Sequence, residues 1–359
     1  MSRIIGLDII RTTAIILVVL SHAFRFSPLD YWFQLHISPL LGQIGVELFF
    51  ALSGFLIGRI LIKETDSISS TLNPFHFWGR RWLRTLPAYY FILLVFPLIN
   101  LIINNQPYPN ISKYLIFSQN LSTSHPEYFG IAWSLSVEEW SYLIAPIILL
   151  LIKFFLPLPG KKVLLCYSLF TILTATIIRS FHPLIHANEV GGWDAFLRKI
   201  VIYRIDAIGY GLLAASLSTV KISSRTLSII CTGLICGAAL TYLWAGGTID
   251  SINPYTCILL PLLTGSGFAA LVLLASRVNS ASESKLISAI RFISIISYSL
   301  YLIHSPIWEY TLSIFPDTLS ATMKWLYFSG YCISSVIIAY LMYKYIEKPF
   351  LLLRDKFLP

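Results

Sequence analysis

An all-α, polytopic membrane protein is predicted by three features of this 359-residue sequence. Hydrophobic residues make up 56% of it, charged residues only 12%, and the mean hydropathy is +0.74. A soluble globular domain carries about 25% charged residues. Ten stretches are apolar and about as long as a bilayer-crossing helix. Lys and Arg collect in alternate gaps between those stretches.

The ten predicted spans are residues 4–24, 41–62, 86–104, 132–152, 163–180, 200–220, 226–245, 255–275, 292–313 and 323–345. With the N-terminus placed in the cytoplasm, eighteen of the 26 Lys and Arg residues fall on the cytoplasmic side. Six fall opposite (Arg25, Lys113, Arg179, Arg198, Lys199, Lys324), and Arg11 and Arg204 lie within spans. This bias predicts that both termini are cytoplasmic. It also assigns most of the net charge of +9 to topology rather than to a nucleic-acid surface. The gaps 63–85, 105–131 and 181–199 are too short for a domain core, so residues 1–359 are expected to form one membrane domain. The first span follows Arg3 like a signal peptide, but Arg11 interrupts it and no small-residue cleavage site follows. It is therefore expected to be retained. Cys166, Cys231, Cys236, Cys257 and Cys332 all sit in apolar stretches without metal-ligand spacing. They read as packing residues, and no metal or tightly bound cofactor is expected.

The first span, IIGLDIIRTTAIILVVLSHAF, carries Asp8, Arg11 and His22. Eleven helical residues bring His22 nearly over Arg11, about 16 Å further along, and Asp8 lies one turn before Arg11. Charges inside a bilayer are costly unless they face a protein interior or a wet cavity, which makes these three functional candidates. The structural alternative is an Asp8–Arg11 pair reaching toward the interface. In the assigned topology Glu47 of GVELFFALSGFLIG lies near the outer end of the second span. Glu138 and Glu139 of WSLSVEEWSYL lie just below the same surface. They point about 100° apart, so one of the two is expected to face His22, and either could instead pair with Arg204. Ser297, Tyr301 and His304 form one stripe of the ninth span, a catalytic support or a polar helix seam. Arg80, Arg81 and Arg84 mark the inner entry to the third span. They suit positive-inside anchors, and Arg81 with Arg84 also suits a phosphate clamp. Gly54 and Gly58 read as close-packing positions. Asn110 and Asn120 match glycosylation acceptors, a pattern frequent by chance.

LDIIRTTAIILVVLSHA, GVELFFALSGFLIGRIL, FWGRRWLRTLPAYY, WSLSVEEWSYL, YRIDAIGYGLLAA, SYSLYLIH and YKYIEKPF, in this order, resemble the signature segments of the acyltransferase family 3 membrane proteins. The resemblance covers nearly the whole chain. It matches an Arg-x10-His element to Arg11 and His22, and an Arg-x-x-Arg element to Arg81 and Arg84. A Trp-Ser-Leu-x-x-Glu-Glu element falls on Trp133, Ser134, Leu135, Glu138 and Glu139. A Ser-Tyr-x-x-Tyr-Leu-x-His element falls on Ser297, Tyr298, Tyr301, Leu302 and His304. Ser141 departs from the family, which usually has an aromatic residue there. Some relatives carry a C-terminal extracytoplasmic esterase-like domain that the residues up to Pro359 do not include.

The resemblance implies a bacterial inner-membrane O-acyltransferase that moves an acyl group, most often acetyl, from cytoplasmic acyl-CoA to a hydroxyl. The acceptor it implies is a sugar or lipid-linked glycan, such as lipopolysaccharide O-antigen or exopolysaccharide. His22 would be the base, helped by Arg11, Glu138 and Glu139, with Arg81 and Arg84 on the donor. Asp8, Glu47, Trp133, Ser134, Ser297, Tyr301 and His304 would support the acceptor side. Imidazole suits the base role because it titrates near neutral pH. A carboxylate among Glu47, Glu138 and Glu139 is expected to orient it. The rival from another class is an ion-coupled transporter using the same buried residues as a relay.

Overall fold

Hydrocarbon offers no partner to a bare peptide N–H or C=O, so apolar runs of this length close their hydrogen bonds within helices. The computed structural model describes residues 3–66, 72–104, 111–126, 128–181, 193–244, 255–279, 284–316 and 318–358, and among them there are helices and no strand. The helices are α1 (Ile5–Ala23), α2 (Ser38–Asp66), α3 (Pro74–Asn104), the short α4 (Ile111–Leu115), α5 (Ala132–Phe155) and α6 (Gly160–Phe181). They continue with α7 (Asp206–Leu217), α8 (Ser224–Trp244), α9 (Leu260–Ala275), α10 (Lys285–Ser313), α11 (Ala321–Met342) and α12 (Lys348–Phe357). A π-turn, Tyr343–Glu347, carries α11 into α12. α1 tightens into a 3-10 turn, Phe24–Phe26, and the helical path ends at the Ser27-Pro28 step, where proline cannot continue it. Ser284 and Ser320 cap α10 and α11, each accepting a bond from the backbone N–H three residues on.

Eight helical segments among the described residues are long and apolar enough to cross a bilayer. Two of the ten predicted spans are not among them. The 86–104 stretch is the far half of α3, a 31-residue helix with three arginines in its first half and Pro87 and Pro97 inside it. The 200–220 stretch is a different object from the one expected. It begins as a 3-10 turn, Val201–Tyr203, and becomes a helix of only 12 residues, α7. At 1.5 Å per residue α7 is about 18 Å long, short of the roughly 30 Å hydrocarbon core.

α7 is short because it is packed on its neighbours rather than lipid. Gly54 of α2 and Gly211 of α7 meet backbone to backbone. A Cβ on Gly54 would stand 2.2 Å from the Ile208 carbonyl oxygen, and one on Gly211 2.2 Å from the Ala51 carbonyl oxygen. Neither neighbour can yield, so the crossing requires glycine at both positions. Gly58 meets Ala215 one turn further along. Two buried ion pairs anchor the start of α7. Arg179 of α6 reaches Asp206 at 2.8 Å, both side chains essentially inaccessible, and donates to the Tyr203 carbonyl at 2.7 Å. Arg204 grips both oxygens of Glu47, at 2.6 and 2.7 Å. Arg204 is thus paired with Glu47, not with Glu138 or Glu139, and Arg179 is a core residue rather than a loop cation.

The segment between α4 and α5 folds back onto the bundle. Asn120 there is 0% exposed and donates to the carbonyls of Lys199 and Trp133 at 2.6 and 3.2 Å. Its burial removes it as a glycosylation acceptor; Asn110 lies outside the described residues. All five cysteines are free.

Candidate active site

α1, α2 and α3 place basic residues at one end of the bundle, where α1 begins, α2 ends and α3 begins. A cavity of about 380 Å³ opens there, lined by Arg11 of α1, Ser53 and Arg59 of α2, Arg81, Arg84 and Thr85 of α3, and Ser134 and Glu138 of α5. Ser297, Tyr298 and Tyr301 of α10 close it. A second cavity, about 650 Å³, opens at the far end of the same helices. Its lining includes Ser21 and His22 at the end of α1, Arg25 just after it, Gln34, Ser38 and Gln43 around the start of α2, and Trp133 of α5. Asp194, Arg198 and Lys199, then Tyr301, Ser305, Trp308 and Glu309 of α10, complete it. Val46 and Tyr301 line both cavities, so the two spaces lie against the same two side chains.

His22 is held on three sides. Its Nδ1 lies 3.0 Å from the Val18 carbonyl oxygen and 3.1 Å from Ser21 Oγ. A carbonyl only accepts, so the bond to Val18 places the proton on Nδ1 and leaves a lone pair on Nε2. The ring stands edge-on to His304 and Trp308, with centroids 4.9 and 5.7 Å away. Trp308 Nε1 donates to the His22 carbonyl oxygen at 3.1 Å, tying α10 to the end of α1. His304 is fully buried behind His22, with Nδ1 2.6 Å from the Tyr301 carbonyl oxygen and no partner on Nε2 among the described residues. It backs the far-end cavity without lining it.

The expected carboxylate beside His22 is absent among the described residues, because each of the three candidates is engaged elsewhere. Glu47 is taken by Arg204. Glu138 accepts from the Tyr142 hydroxyl at 2.8 Å and faces the basic cavity. Glu139, buried, accepts from Thr85 Oγ1 at 3.0 Å and lines neither cavity. The difference of about 100° between adjacent helical residues turns Glu138 to the cavity and Glu139 to α3. Asp8 also stands apart from the acceptor side. It binds Arg3 at 2.6 and 2.9 Å and accepts from Ser294 Oγ at 2.6 Å, so the alternative Asp8–Arg11 pair does not form.

Arg11, Arg59, Arg81 and Arg84 have no hydrogen-bond or ion-pair partner among the described residues, although all four line one cavity. Arg81 stacks over the Tyr142 ring with its guanidinium carbon 4.2 Å from the centroid. That hydroxyl in turn bonds Glu138 and Ser53, so the planar cation is fixed in orientation and one carboxylate is set beside it. Ser134 and Tyr301 share a 2.5 Å hydrogen bond. Ser297 bonds the Ser294 carbonyl at 3.0 Å and lines the basic cavity. Trp133 carries Arg198 over its ring at 4.6 Å in the far-end cavity.

Three side chains were not singled out by sequence. Arg59 reads as a topology anchor, Tyr142 as a packing aromatic, and Glu309 of SPIWEY has no motif around it. A carboxylate one turn beyond the Ser-Tyr-x-x-Tyr-Leu-x-His stripe is the signal that marks Glu309. Across the far-end cavity, burial pushes the Asp194 carboxyl up, but Arg198 at 2.6 Å and Lys199 at 2.5 Å outweigh it and hold Asp194 at about 2. Asp194 is therefore ionised at any physiological pH, set between a guanidinium and an ammonium group.

A family model described as an acyltransferase domain matches residues 4–344. The chain is similar to the peptidoglycan O-acetyltransferase OatA of Listeria monocytogenes, 26% identical over 356 residues that cover 86% of this chain and 51% of that protein. It is similar to a putative O-acetyltransferase of Staphylococcus aureus strain COL, 24% identical over 369 residues, 98% of this chain and 58% of the other. The O-acetyltransferase OatA of Staphylococcus aureus strain NCTC 8325 shares 28% identity over 158 residues, 40% of this chain and 24% of its own length. The chain spans about half the length of the first two of these curated relatives. No solved structure matches.

Proposed function

The chain belongs to the acyltransferase 3 family of acyltransferase-domain proteins, and on that premise we propose that it moves an acyl group, most simply acetyl, from acyl-CoA to a sugar hydroxyl of a bacterial surface glycan. The observation that carries this is that two unlike cavities lie against the same two side chains, Val46 and Tyr301. One presents four guanidiniums with no hydrogen-bond or ion-pair partner among the described residues and suits the phosphates of a CoA donor. The other presents the free Nε2 of His22 among tryptophan, tyrosine, glutamine and carboxylate side chains, a lining suited to a sugar.

In this mechanism the thioester arm enters from the basic cavity past Arg11 and Tyr301. His22 Nε2 takes the proton of the acceptor hydroxyl as its oxygen attacks the thioester carbonyl. The tetrahedral intermediate collapses with loss of the CoA thiolate, which takes from the imidazolium the proton that came from the acceptor hydroxyl. No carboxylate is needed to hold the tautomer, because the Val18 carbonyl does so. Glu138 and Tyr142 position Arg81, and Glu139 braces α3 through Thr85; Glu47 and Asp8 act in packing. An ester through a His22 acyl intermediate would use the same nitrogen.

The acceptor would be a sugar or lipid-linked glycan, whether in peptidoglycan, lipopolysaccharide O-antigen or an exopolysaccharide. Labelled acetyl-CoA added to membranes should transfer label to such a glycan, and mass spectrometry of surface glycans should show one acyl group lost with the gene. No transfer and no mass change would remove the reading. An ion-coupled transporter would give neither. It also lacks free relay carboxylates in Glu47 and Asp206, which are locked to arginines.

We further propose the inner membrane of a bacterium, about ten crossings in all with α7 and the turn before it together making the sixth, and cytoplasmic termini, with the basic cavity facing the cytoplasm where acyl-CoA is made. The charge bias supports this orientation. Reporter fusions at the C-terminus and within residues 105–131 are expected on opposite sides. Two reporters on one side would overturn it.

A further inference from the structure

Arg59 has no assigned role, and by position alone it would be a positive-inside anchor. Its depth argues otherwise. Arg11, Arg59 and Arg81 each stand six or seven residues in from the basic end of their helix, about 10 Å at 1.5 Å per residue. An anchoring cation reaches the interface from the helix end. Arg59 instead lines the basic cavity from α2. Its guanidinium carbon sits 5.9 Å from the Phe55 ring and it has no hydrogen-bond or ion-pair partner among the described residues.

The charge of the cavity is also out of balance. Among the described residues four guanidiniums face it and Glu138 is the one carboxylate in its lining, itself held by Tyr142. Like charges crowded into one space repel unless a ligand compensates them. A single phosphodiester supplies one negative charge, too few. A ligand with a diphosphate and a separate phosphate monoester, the latter worth about −1.5 to −2 at neutral pH, supplies enough.

Building on the donor site proposed above, we propose that Arg59 is a fourth phosphate ligand, and that the box it completes selects a donor bearing several phosphates, free acyl-CoA, over one bearing a single phosphate. Arg81 and Arg84 hold the ligand from α3, Arg11 from α1, and Arg59 from α2. Carrier-protein-bound acyl groups, joined through one phosphodiester, would be poor donors.

The test is calorimetric binding of CoA, dephospho-CoA and 4′-phosphopantetheine to the full-length protein in nanodiscs. The parent protein is expected to bind them with affinity falling in that order. Arg59→Gln should weaken CoA binding about ten- to a hundredfold, the scale of one charge-assisted bond. Arg59→Lys should recover part of the loss, and Lys63→Gln, outside the cavity on the same helix, should bind as the parent does. In turnover, Arg59→Gln should raise the donor KM and leave the acceptor KM unchanged. CoA binding to Arg59→Gln at the parent affinity, with Arg81→Ala/Arg84→Ala weakened, would overturn the role of Arg59 while leaving the donor site standing. Parent affinity in both would remove the donor site itself. If the Arg59 variants fail to insert, the unaltered protein still decides: equal affinity for CoA and 4′-phosphopantetheine overturns the selection.

Discussion

Replacing His22 with glutamine is expected to lower acyl transfer about 10²–10⁴-fold, the usual cost of losing a general base, with CoA binding unchanged. Glutamine can still donate a proton to the Val18 carbonyl oxygen that His22 contacts at 3.0 Å, so the local hydrogen bond survives. What it lacks is a basic nitrogen facing the far-end cavity. Binding should persist because His22 does not line the cavity that holds Arg81 and Arg84. The measurement is acylated product per unit of inserted protein beside a CoA titration. Near-parent turnover would take the base role from His22 and pass it to His304. That side chain is buried and would need the ring of His22 to move aside before it could meet a hydroxyl.

Removing both Arg81 and Arg84 is expected to weaken CoA binding at least about a hundredfold, since each charge-assisted contact is worth about 1.5–3 kcal/mol. Folding should survive. Neither guanidinium makes a hydrogen bond or ion pair to a protein carboxylate among the described residues, Glu138 and Glu139 keep their bonds from Tyr142 and Thr85, and fewer like charges crowd the cavity. Arg81 covers one face of Tyr142, and Arg81→Ala alone should loosen that contact and with it the hold on Glu138. Binding is read with the acceptor absent, so that a loss of turnover at His22 is not mistaken for it. An unchanged affinity in the double variant would leave both arginines as topology anchors.

Much of the arrangement was legible because a helix repeats locally. The eleven-residue separation of Arg11 and His22 set both on one face of α1, and each lines a cavity there. The same periodicity separated Glu138 from Glu139 but left open which of them faced inward. Glycines at Gly54 and Gly58 announced a close crossing without naming the partner. α7 was misjudged because an apolar run looks the same whether lipid or protein surrounds it. Only the packing of α2 and α6 around it, with Gly211 in contact and Asp206 paired to Arg179, shows a 12-residue helix.

By itself, then, the amino-acid order determined that this chain is helical and lies in a membrane. Burying apolar side chains and closing backbone hydrogen bonds depend on residues a few positions apart. It also determined that basic groups gather at one end, and which residues share a stripe with His22. The tertiary structure alone decided which charge meets which. Glu47 and Arg204 are 157 residues apart in the chain, and nothing local in either helix tells that they touch. Buried charges are settled by the nearest opposite charge across a helix interface. The carboxylates expected at His22 are therefore used in holding helices together or in fixing Arg81, while four arginines without a hydrogen bond or ion pair among the described residues are left facing an open cavity.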